Sequence, residues 1–192
     1  MKAFIVRING ISPMLQHRPT EEGLGGDGNG TRRVKLDTTI TPREVAAKAV
    51  YQAKDGSFYF PSGAIARLLR EAGSNHKQRG NRKSMKYVIP GAVFQTAEAI
   101  PLLTELGQPI MDFEVDSRPV TIPSTKGVVM RHRARFERWA AQFTLEIDDA
   151  TIPPEFILQL LTEGGRAIGI GDFRPEKGGP FGRFQVTSWE PL

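Results

Sequence analysis

Residues 164–184, GGRAIGIGDFRPEKGGPFGRF, determine how the second half of this chain is interpreted. Seven of these 21 residues are glycine, against 20 glycines in the 192 residues of the whole chain. The stretch follows a run with helical periodicity, residues 154–163, and precedes a strand-like run, residues 184–189. The pattern therefore predicts a helix, a long internal loop and a final strand, with Gly164 as the residue that ends the helix.

Basic and aromatic side chains alternate with these glycines. Glycine lets a backbone approach a ligand closely and adopts positive φ angles without penalty. Arginine and aromatic rings on such a loop can contact phosphates and the faces of bases. The stretch is therefore interpreted as a loop that contacts nucleic acid, and tight turns without a ligand are the alternative. Its candidate binding residues are Arg166, Arg174, Lys177, Arg183, Phe173 and Phe181.

The segments that precede this stretch indicate the order of the fold. Residues 3–9 are apolar and β-branched, residues 63–72 repeat apolar side chains at helical spacing, and residues 139–147 alternate with the period of a strand. With residues 21–60 set aside as an excursion, the order is strand, helix, strand, strand, helix, strand. This order predicts an α+β protein with a ferredoxin-like or RRM-like βαββαβ core and a glycine-rich loop before the last strand.

A stretch longer than an ordinary connecting loop separates the first core helix from the next strand candidates. We therefore expect a single domain over residues 1–192, with an inserted lobe at about residues 75–109. Two strand candidates follow at residues 110–115 and 120–122, and Ser117, Arg118 and Pro119 separate them.

The excursion contains two local signals. Thr41, Pro42 and Glu44 have the spacing of a capped helix start, with proline at the first helical position. Asp55 and Gly56 form the dipeptide typical of a tight hairpin turn. The sequence therefore predicts a short helix followed by a hairpin before the first core helix.

Composition narrows the class of protein. The net charge is +5, and the mean hydropathy of −0.32 is typical of a soluble globular protein. No apolar run reaches the roughly 18 residues of a membrane-spanning helix, and charge at Lys2 and Arg7 comes too early for a signal peptide. The absence of cysteine excludes disulfides and thiolate metal sites and favours a cytoplasmic location.

Basic residues are concentrated in three segments, which favours a polyanionic partner over a merely solvated surface. The first segment contains Lys77, Arg79, Arg82, Lys83 and Lys86. The second contains Lys126, Arg131, Arg133, Arg135 and Arg138, with Glu137 as its one acid. The third contains Arg32, Arg33 and Lys35.

Two of these segments suggest a geometry. Arg131, Arg133 and Arg135 alternate, so in a strand they project as a row from one face and suit the phosphates of a single strand in a positive groove across a sheet. An exposed strand that uses arginine for solubility is the alternative. Residues 76–87 are interpreted as a mobile arm that orders on nucleic acid, with merely solvated side chains as the alternative.

Three stretches carry a resemblance to a known family. INGISPML at residues 8–15 is similar to the segment after the first strand of the RAMP superfamily of CRISPR-associated proteins. YFPSGAI at residues 59–65 resembles the stretch that leads into its first core helix, and residues 169–184 resemble its glycine-rich loop. Within the superfamily, the chain is most similar to the backbone subunit that polymerises along guide RNA. It is smaller than typical backbone subunits, which favours a shortened stand-alone relative from a phage or mobile element.

The resemblance implies sequence-independent binding of single-stranded RNA or DNA, with RNA favoured and with several copies along one strand. Some RAMP relatives cut RNA with a histidine general base, so metal-independent cleavage that uses His17, His76 or His132 is an alternative. No second acid or base partner is evident from the spacing, and we therefore expect a binding protein rather than an enzyme. A structural assembly protein without nucleic acid is the other alternative.

Carboxylates offer one further possibility. Asp112, Glu114 and Asp116 alternate, which is compatible with a cation site, but the polar face of an ordinary strand is the favoured interpretation. Asp172 is expected to cap a turn or to pair with Arg174. No metal and no cofactor are therefore predicted.

Overall fold

The computed structural model describes residues 1–19, 40–78, 80–121 and 127–192. Several sequence predictions fall outside these residues. They concern the glycine-rich part of the excursion, the basic residues Arg32, Arg33 and Lys35, and the single basic residues Arg79 and Lys126.

Strands predominate over helices in the described residues. The strands are β1 (Lys2–Gly10), β2 (Met14–Gln16), β3 (Tyr59–Pro61), β4 (Val93–Gln95), β5 (Ala99–Pro101), β6 (Glu114–Thr121), β7 (Val128–Phe136), β8 (Ala140–Ile147) and β9 (Phe184–Pro191). The helices are α1 (Pro42–Lys48), α2 (Gly63–Ala72) and α3 (Pro154–Ala167). None of these helices is both long and apolar enough to cross a membrane.

The core is a four-stranded sheet with the strand order β4-β8-β1-β9, and each neighbouring pair is antiparallel. Along the chain, its elements run β1, α2, β4, β8, α3, β9, which is the split βαβ order of a ferredoxin-like fold. Phe4, Val6 and Ile8 of β1 are buried, and they belong to one hydrophobic core with residues of α2 and α3. The predicted α+β class and core order are confirmed.

The second strand of this core is β4, which lies within the range where the sequence predicted an inserted lobe. The same range contains the 3-10 turns Met85–Tyr87 and Ile89–Gly91 and the strand β5, which pairs with β3. A separate lobe at residues 75–109 stays a prediction.

A second sheet has the order β2-β7-β6 and contains the strand candidates that the sequence offered for the core. The predicted interruption at residues 117–119 is wrong, because β6 continues through them. β6 is an edge strand, where a proline can be accommodated without breaking a ladder of hydrogen bonds. The long β6–β7 hairpin therefore stands beside the core sheet and not within it.

Helix α3 extends beyond the predicted end at Gly164. A side-chain carbon on Gly164 would lie 2.5 Å from a methyl group of Leu68, and one on Gly165 would lie 2.6 Å from the carbonyl oxygen of Phe184. These two glycines therefore allow close packing of α3 on α2 and β9. The helix ends at Ala167, and Gly169 follows with a φ of 71° and donates its N–H to the carbonyl of Gly164. We call residues 168–183, between α3 and β9, the glycine loop.

The two local signals of the excursion are confirmed. The hydroxyl of Thr41 accepts from the backbone N–H of Glu44, whose carboxylate accepts from the backbone N–H of Thr41, so α1 begins with a complete capping box. A short hairpin follows, in which Ala53 donates to the carbonyl of Ser57 across a turn with Gly56 at a φ of 88°.

Candidate nucleic-acid interface

One side of the β6–β7 hairpin carries the arginine row that the sequence predicted on β7. The antiparallel register brings three pairs together: Glu114–Arg135, Asp116–Arg133 and Arg118–Arg131. Directly opposite residues share a face of a sheet, and so do residues two apart along one strand. These four arginines and two carboxylates therefore lie together, and we call them the arginine face.

Arg133, at the centre of the arginine face, is enclosed by the protein. Its side chain is only 6% exposed, and its Nε donates to Oδ2 of Asp172 over 2.6 Å. The sequence predicted that Arg133 contacts a phosphate and that Asp172 caps a turn or pairs with Arg174. The structure pairs Asp172 with Arg133, because the glycine loop folds back against β2, while Arg174 donates to Glu176 over 2.9 Å.

Arg135 and Arg138 lie at the base of the hairpin. The Nε of Arg135 donates to the carboxylate of Glu137 over 2.9 Å, so a neighbouring negative charge partly neutralises it. Arg138 is exposed. Both arginines line a shallow cleft of about 270 Å³ that also includes Phe113. An anion can reach them from solvent, although it must compete with Glu137 for Arg135.

Arg118 belongs to the arginine face, and the sequence interpretation did not include it among the binding residues. Its Nε donates to Oδ1 of Asp116 over 2.8 Å, and its guanidinium lies 4.6 Å from the centre of the Phe181 ring. Asp116 is 5% exposed, whereas Arg118 is 38% exposed. The alternation of residues 114, 116 and 118 was legible in the sequence, but their pairing with β7 and with Phe181 was not.

Arg131 is opposite Arg118 in the register. Among the described residues, no carboxylate lies within ion-pair distance of Arg131. Like charges directly opposite each other on two strands repel. This pair is therefore the part of the arginine face with the greatest unneutralised positive charge.

Three buried side-chain atoms in this region have no hydrogen-bond partner in the part of the chain that the structure describes. They are Nδ1 of His17, Oδ2 of Asp116 and Nη1 of Arg133. Buried polar atoms in folded proteins are almost always paired, and those that protein groups leave over are satisfied by ordered water or by a ligand. The arginine face therefore has unused hydrogen-bonding capacity.

His17 follows β2 directly and adjoins the arginine face. Burial lowers the pKa of its imidazole, the positive charge of Arg131 lowers it further, and Asp172 acts in the opposite direction. The imidazole is therefore neutral at pH 7. Nothing in the sequence favoured His17 over the other two histidines, because its proximity to β7 depends on the pairing of β2 with β7.

The other two histidines have different surroundings. Nε2 of His76 lies 3.0 Å from the carboxylate of Glu163, which links the start of the basic segment to α3. Nδ1 of His132 lies 2.7 Å from the hydroxyl of Ser117, and the alternation of β7 puts His132 on the opposite side from Arg131. Neither histidine is among the residues that adjoin the arginine face.

The glycine loop packs on the protein itself. A side-chain carbon on Gly171 would lie 2.5 Å from the carbonyl oxygen of Leu15, and Asp172 donates its N–H to that same oxygen over 2.7 Å. A side-chain carbon on Gly182 would lie 1.7 Å from the carbonyl oxygen of Ile170. The close approaches that the sequence assigned to a ligand are therefore made, at these positions, to the chain's own backbone.

The predicted binding residues of the glycine loop are distributed over several surroundings. Phe181 is 5% exposed and packs near Phe173, with 6.0 Å between ring centres, so it has little free ring face. Arg174 donates to Glu176 and is only 14% exposed. Lys177 is exposed.

Arg166 and Arg183 are both exposed, and they lie next to each other. Arg166 belongs to α3 and not to the loop, and its carbonyl accepts from Nε of Arg183 over 3.2 Å. The two guanidinium groups therefore carry positive charge to the surface where α3 ends and β9 begins.

Glu176 joins the glycine loop to α2. Its carboxylate accepts from Arg174 and pairs with Arg67 of α2. Burial alone would raise the pKa of Glu176, but the hydrogen bond from Arg174 and the charge of Arg67 bring it below its ordinary value. Arg174 is therefore part of a structural network that holds the loop.

The basic segment between α2 and β4 contains a small hairpin. Lys77 bridges Ser84, and Gln78 accepts from Asn81 and donates to Lys83 in a hydrogen-bonded turn. The binding candidates Lys77, Arg82 and Lys83 are exposed. Lys86 is half-buried and lies 3.8 Å from Glu71 of α2.

The outer face of the core sheet differs from the arginine face. Its side chains include Phe94, which is 44% exposed, and the exposed residues Gln142, Glu146 and Glu190. Arg7 lies on the same face and donates to the carbonyl of Glu105. The predicted groove across a sheet therefore has a positive counterpart on the β2-β7-β6 sheet, and not on this core face.

The three carboxylates considered as a cation site are not brought together. Asp112 precedes β6 and pairs with Arg43, whose hydrogen bond is the main cause of the lowered pKa of Asp112. Asp116 forms an ion pair with Arg118 instead. Within residues 1–19, 40–78, 80–121 and 127–192, no group of three or more histidine and carboxylate side chains has the geometry to hold a metal ion.

Comparisons with known proteins support the fold. No known protein family matches the sequence, and none of the curated proteins matches it. Among solved structures, a similar chain occurs in the one described as "Cryo-EM structure of the Type III-B Cmr-beta bound to cognate target RNA". The TM-score is 0.57 and the identity is 12%, over 100% of this chain and 61% of that chain. The likeness shows that the two chains share a fold, and this chain spans about 61% of its neighbour's length.

Proposed function

We propose that this chain binds single-stranded nucleic acid, RNA in preference to DNA, through the phosphate backbone and without regard to sequence. One observation carries the proposal: Arg118 and Arg131 lie directly opposite each other, and no carboxylate in the described residues pairs with Arg131. A phosphate between the two guanidinium groups would relieve their repulsion. The arginine face is then the contact surface, and Arg135 and Arg138 extend it towards the base of the hairpin.

Two further observations support this proposal. The chain of similar fold in the solved structure belongs to a complex bound to cognate target RNA, which supports RNA as the ligand class. The exposed basic residues Lys77, Arg82, Lys83, Lys177 and Arg183 add to the positive field that attracts a polyanion.

We further propose that several copies of the protein bind along one nucleic-acid strand, and that they do so in the cytoplasm. Backbone contacts carry no sequence information, so neighbouring sites on a long strand are equivalent and several copies can occupy them. The number of chains bound should therefore rise in proportion to oligonucleotide length. Analytical ultracentrifugation of the complexes at two or three lengths measures this number directly.

The decisive test is a fluorescence-anisotropy titration of the nuclease-treated protein with single-stranded RNA, single-stranded DNA and duplex DNA at several salt concentrations. We expect single strands to bind more tightly than the duplex, RNA to bind more tightly than DNA, and log K to fall linearly with log salt concentration. Arg131→Gln should reduce the slope by about 0.7, the value for one lost phosphate contact on a single strand. The control is Lys54→Gln, an exposed lysine on the turn beside Gly56.

An absence of binding to all three ligands at low salt would contradict the proposal. The alternative of a structural assembly protein without nucleic acid would then be favoured. Equal and salt-independent binding of RNA and duplex would also contradict it, because backbone contacts to a polyanion release counterions.

Metal-independent RNA cleavage is a second candidate, and the surroundings of His17 favour it. A neutral imidazole beside Arg131 can accept a proton, and the guanidinium can stabilise charge that develops on a phosphate. Cleavage in the presence of EDTA that yields 2′,3′-cyclic phosphate ends and is lost in His17→Ala would support this candidate. RNA that stays intact after prolonged incubation would contradict cleavage and would favour binding alone.

A further inference from the structure

Arg118 is held by two contacts, one to a carboxylate and one to an aromatic ring. Nε donates to Asp116 over 2.8 Å, and Asp116 is itself 5% exposed. Phe181 lies 4.6 Å from the guanidinium and is also 5% exposed, so the support beneath Arg118 is part of the folded interior. An arginine fixed in this way has lost most of its rotamer freedom before any ligand arrives.

The exposed part of Arg118 is the part that a planar ligand could use. The guanidinium carbon lies over the Phe181 ring, 4.6 Å from its centre, and the Asp116 carboxylate accepts from Nε. The side chain is nevertheless 38% exposed, so a ligand can reach Arg118 from solvent. In the described part of the chain, no acceptor takes a hydrogen bond from its two Nη nitrogens.

We infer that Arg118 is a stacking platform for an unpaired nucleobase, and this inference rests on the function proposed above. The phosphate of that nucleotide lies towards Arg131, directly across the strand pair, and the base lies flat on the free face of the Arg118 guanidinium. Arginine planes stack on bases as aromatic rings do, and every base offers a π face, so this contact is tolerant of sequence. A base within a duplex is already stacked, so the platform selects single strands.

The aromatic residues of the glycine loop do not replace Arg118 in this role. Phe181 is buried beneath Arg118, and Phe173 packs near Phe181. Phe181 thus acts as a positioning residue: it supports the guanidinium from within the fold, and Arg118 presents its free face to the base.

The test compares a uridine RNA of about 12 nucleotides, a length within the site sizes of single-strand-binding folds, with an abasic ribose-phosphate strand of the same length. We expect the wild-type protein to bind the uridine strand about tenfold more tightly, because one base stack is lost at each occupied site of the abasic strand. Arg118→Lys keeps the charge and removes the planar face, so it should bind the two strands equally. Its affinity for the abasic strand should equal that of the wild type.

Two further variants separate the platform from a general effect on charge or folding. Phe181→Leu keeps an apolar side chain under Arg118 but removes the flat ring, and it should reduce the preference for the uridine strand by about half or more. Arg70→Lys changes an exposed arginine of α2 that pairs with Glu71, far from the arginine face in the sequence, and should leave the preference unchanged. A 2-aminopurine base within the strand should lose fluorescence on binding to the wild type and not to Arg118→Lys.

The possible results distinguish phosphate binding from base stacking on Arg118. If the wild type binds both strands with equal affinity, phosphate binding stands and the stacking platform is overturned. If Arg118→Lys retains the full tenfold preference, the platform lies elsewhere and the assignment to Arg118 is overturned. If the wild type binds neither strand, the proposed function and the platform are both overturned.

Discussion

The arginine face and the basic segment at residues 76–86 resemble each other in the sequence and differ in the structure. On the arginine face, Arg133, Arg135 and Arg118 each donate to a carboxylate over 2.6 to 2.9 Å, and Arg118 also packs on an aromatic ring. In the basic segment, Lys77 and Lys83 project from a small turn and are exposed. In the sequence, residues 126–138 contain five basic residues and one acid, and residues 76–86 contain five basic residues and no acid. The two segments therefore predicted similar surfaces.

Two segments of similar charge density therefore differ in how firmly the fold holds their charged groups. A long flexible side chain loses conformational entropy when a ligand fixes it, whereas a guanidinium that the fold already holds loses little. The carboxylates on the arginine face reduce its net charge but define where each guanidinium lies. We therefore expect the arginine face to supply most of the affinity and the basic segment to supply mainly long-range attraction.

The largest effect should come from reversing one charge in each region. Arg131→Glu places a carboxylate opposite Arg118 and should weaken RNA binding by about thirtyfold or more, because a phosphate contact is replaced by repulsion. Lys83→Glu makes the same type of change in the basic segment and should cost less than about threefold. Anisotropy titrations at one fixed salt concentration measure both. Equal losses for the two variants would contradict the distinction between the regions.

The second largest effect should come from removing the carboxylate charge that holds the buried Arg133 of the arginine face. Asp172→Asn removes the charge that pairs with the buried Arg133 and should lower the free energy of unfolding by about 1–2 kcal/mol, since an unpaired buried guanidinium is costly. Asp149→Asn is the matched control, because the ion pairs of Asp149 in the described residues are with the exposed amino terminus and with Lys2. Urea unfolding should detect no change for the control. An unchanged Asp172→Asn would mean that Arg133 finds another partner, for which Asp116 is the nearest candidate by register.

The smallest effect is a difference in pH dependence between the regions. The pKa of His17 is lowered by burial and by Arg131, so a phosphate near Arg131 should raise that pKa and make binding take up a proton. RNA affinity should therefore increase by about threefold as the pH falls from about 7.5 to 6. His17→Gln should flatten this profile, and His76→Gln, in the basic segment, should leave it unchanged.

The lowered pKa of His17 also makes the stability of the fold depend on pH. Because the pKa of His17 is lower in the folded state than in the unfolded chain, the unfolded chain takes up the proton first as the pH falls below about 6.5. His17 therefore stabilises the fold fully above that pH and less below it. The difference in unfolding free energy between the wild type and His17→Gln should shrink on acidification, and a difference that grows would contradict the lowered pKa.

Much of the fold was legible in the sequence because its signals are local. The capping box at Thr41 and Glu44, the Gly56 turn and the alternation of β8 all depend on residues a few positions apart. Their order along the chain was enough to predict the ferredoxin-like core. The three-residue strand β4 was not predicted, because so short a segment has no period of its own and is defined only by its pairing with β8.

The candidate site could be predicted only in part. The alternating arginines of β7 predicted a row on one face of a strand, and the structure has this row, since side chains in a strand alternate regardless of what pairs with it. Which of those arginines is buried depends on Asp172, which is 39 residues further along the chain. The close neighbours of several glycines in residues 164–184 could not be predicted for the same reason: they are Leu68, Leu15 and the carbonyl of Ile170, which belong to other segments or to a folded-back loop.

The α+β class, the order of the core elements, the positive charge and the row of arginines on β7 could all be predicted from the sequence. Each of these depends on composition or on spacings within a single element. The position of Arg118 opposite Arg131, the neutralisation of Arg133 by Asp172 and the place of His17 beside them required the folded chain. These relations arise where β2, β6, β7 and the glycine loop meet, and the register of strand pairs and the packing of a loop are properties of the folded chain as a whole.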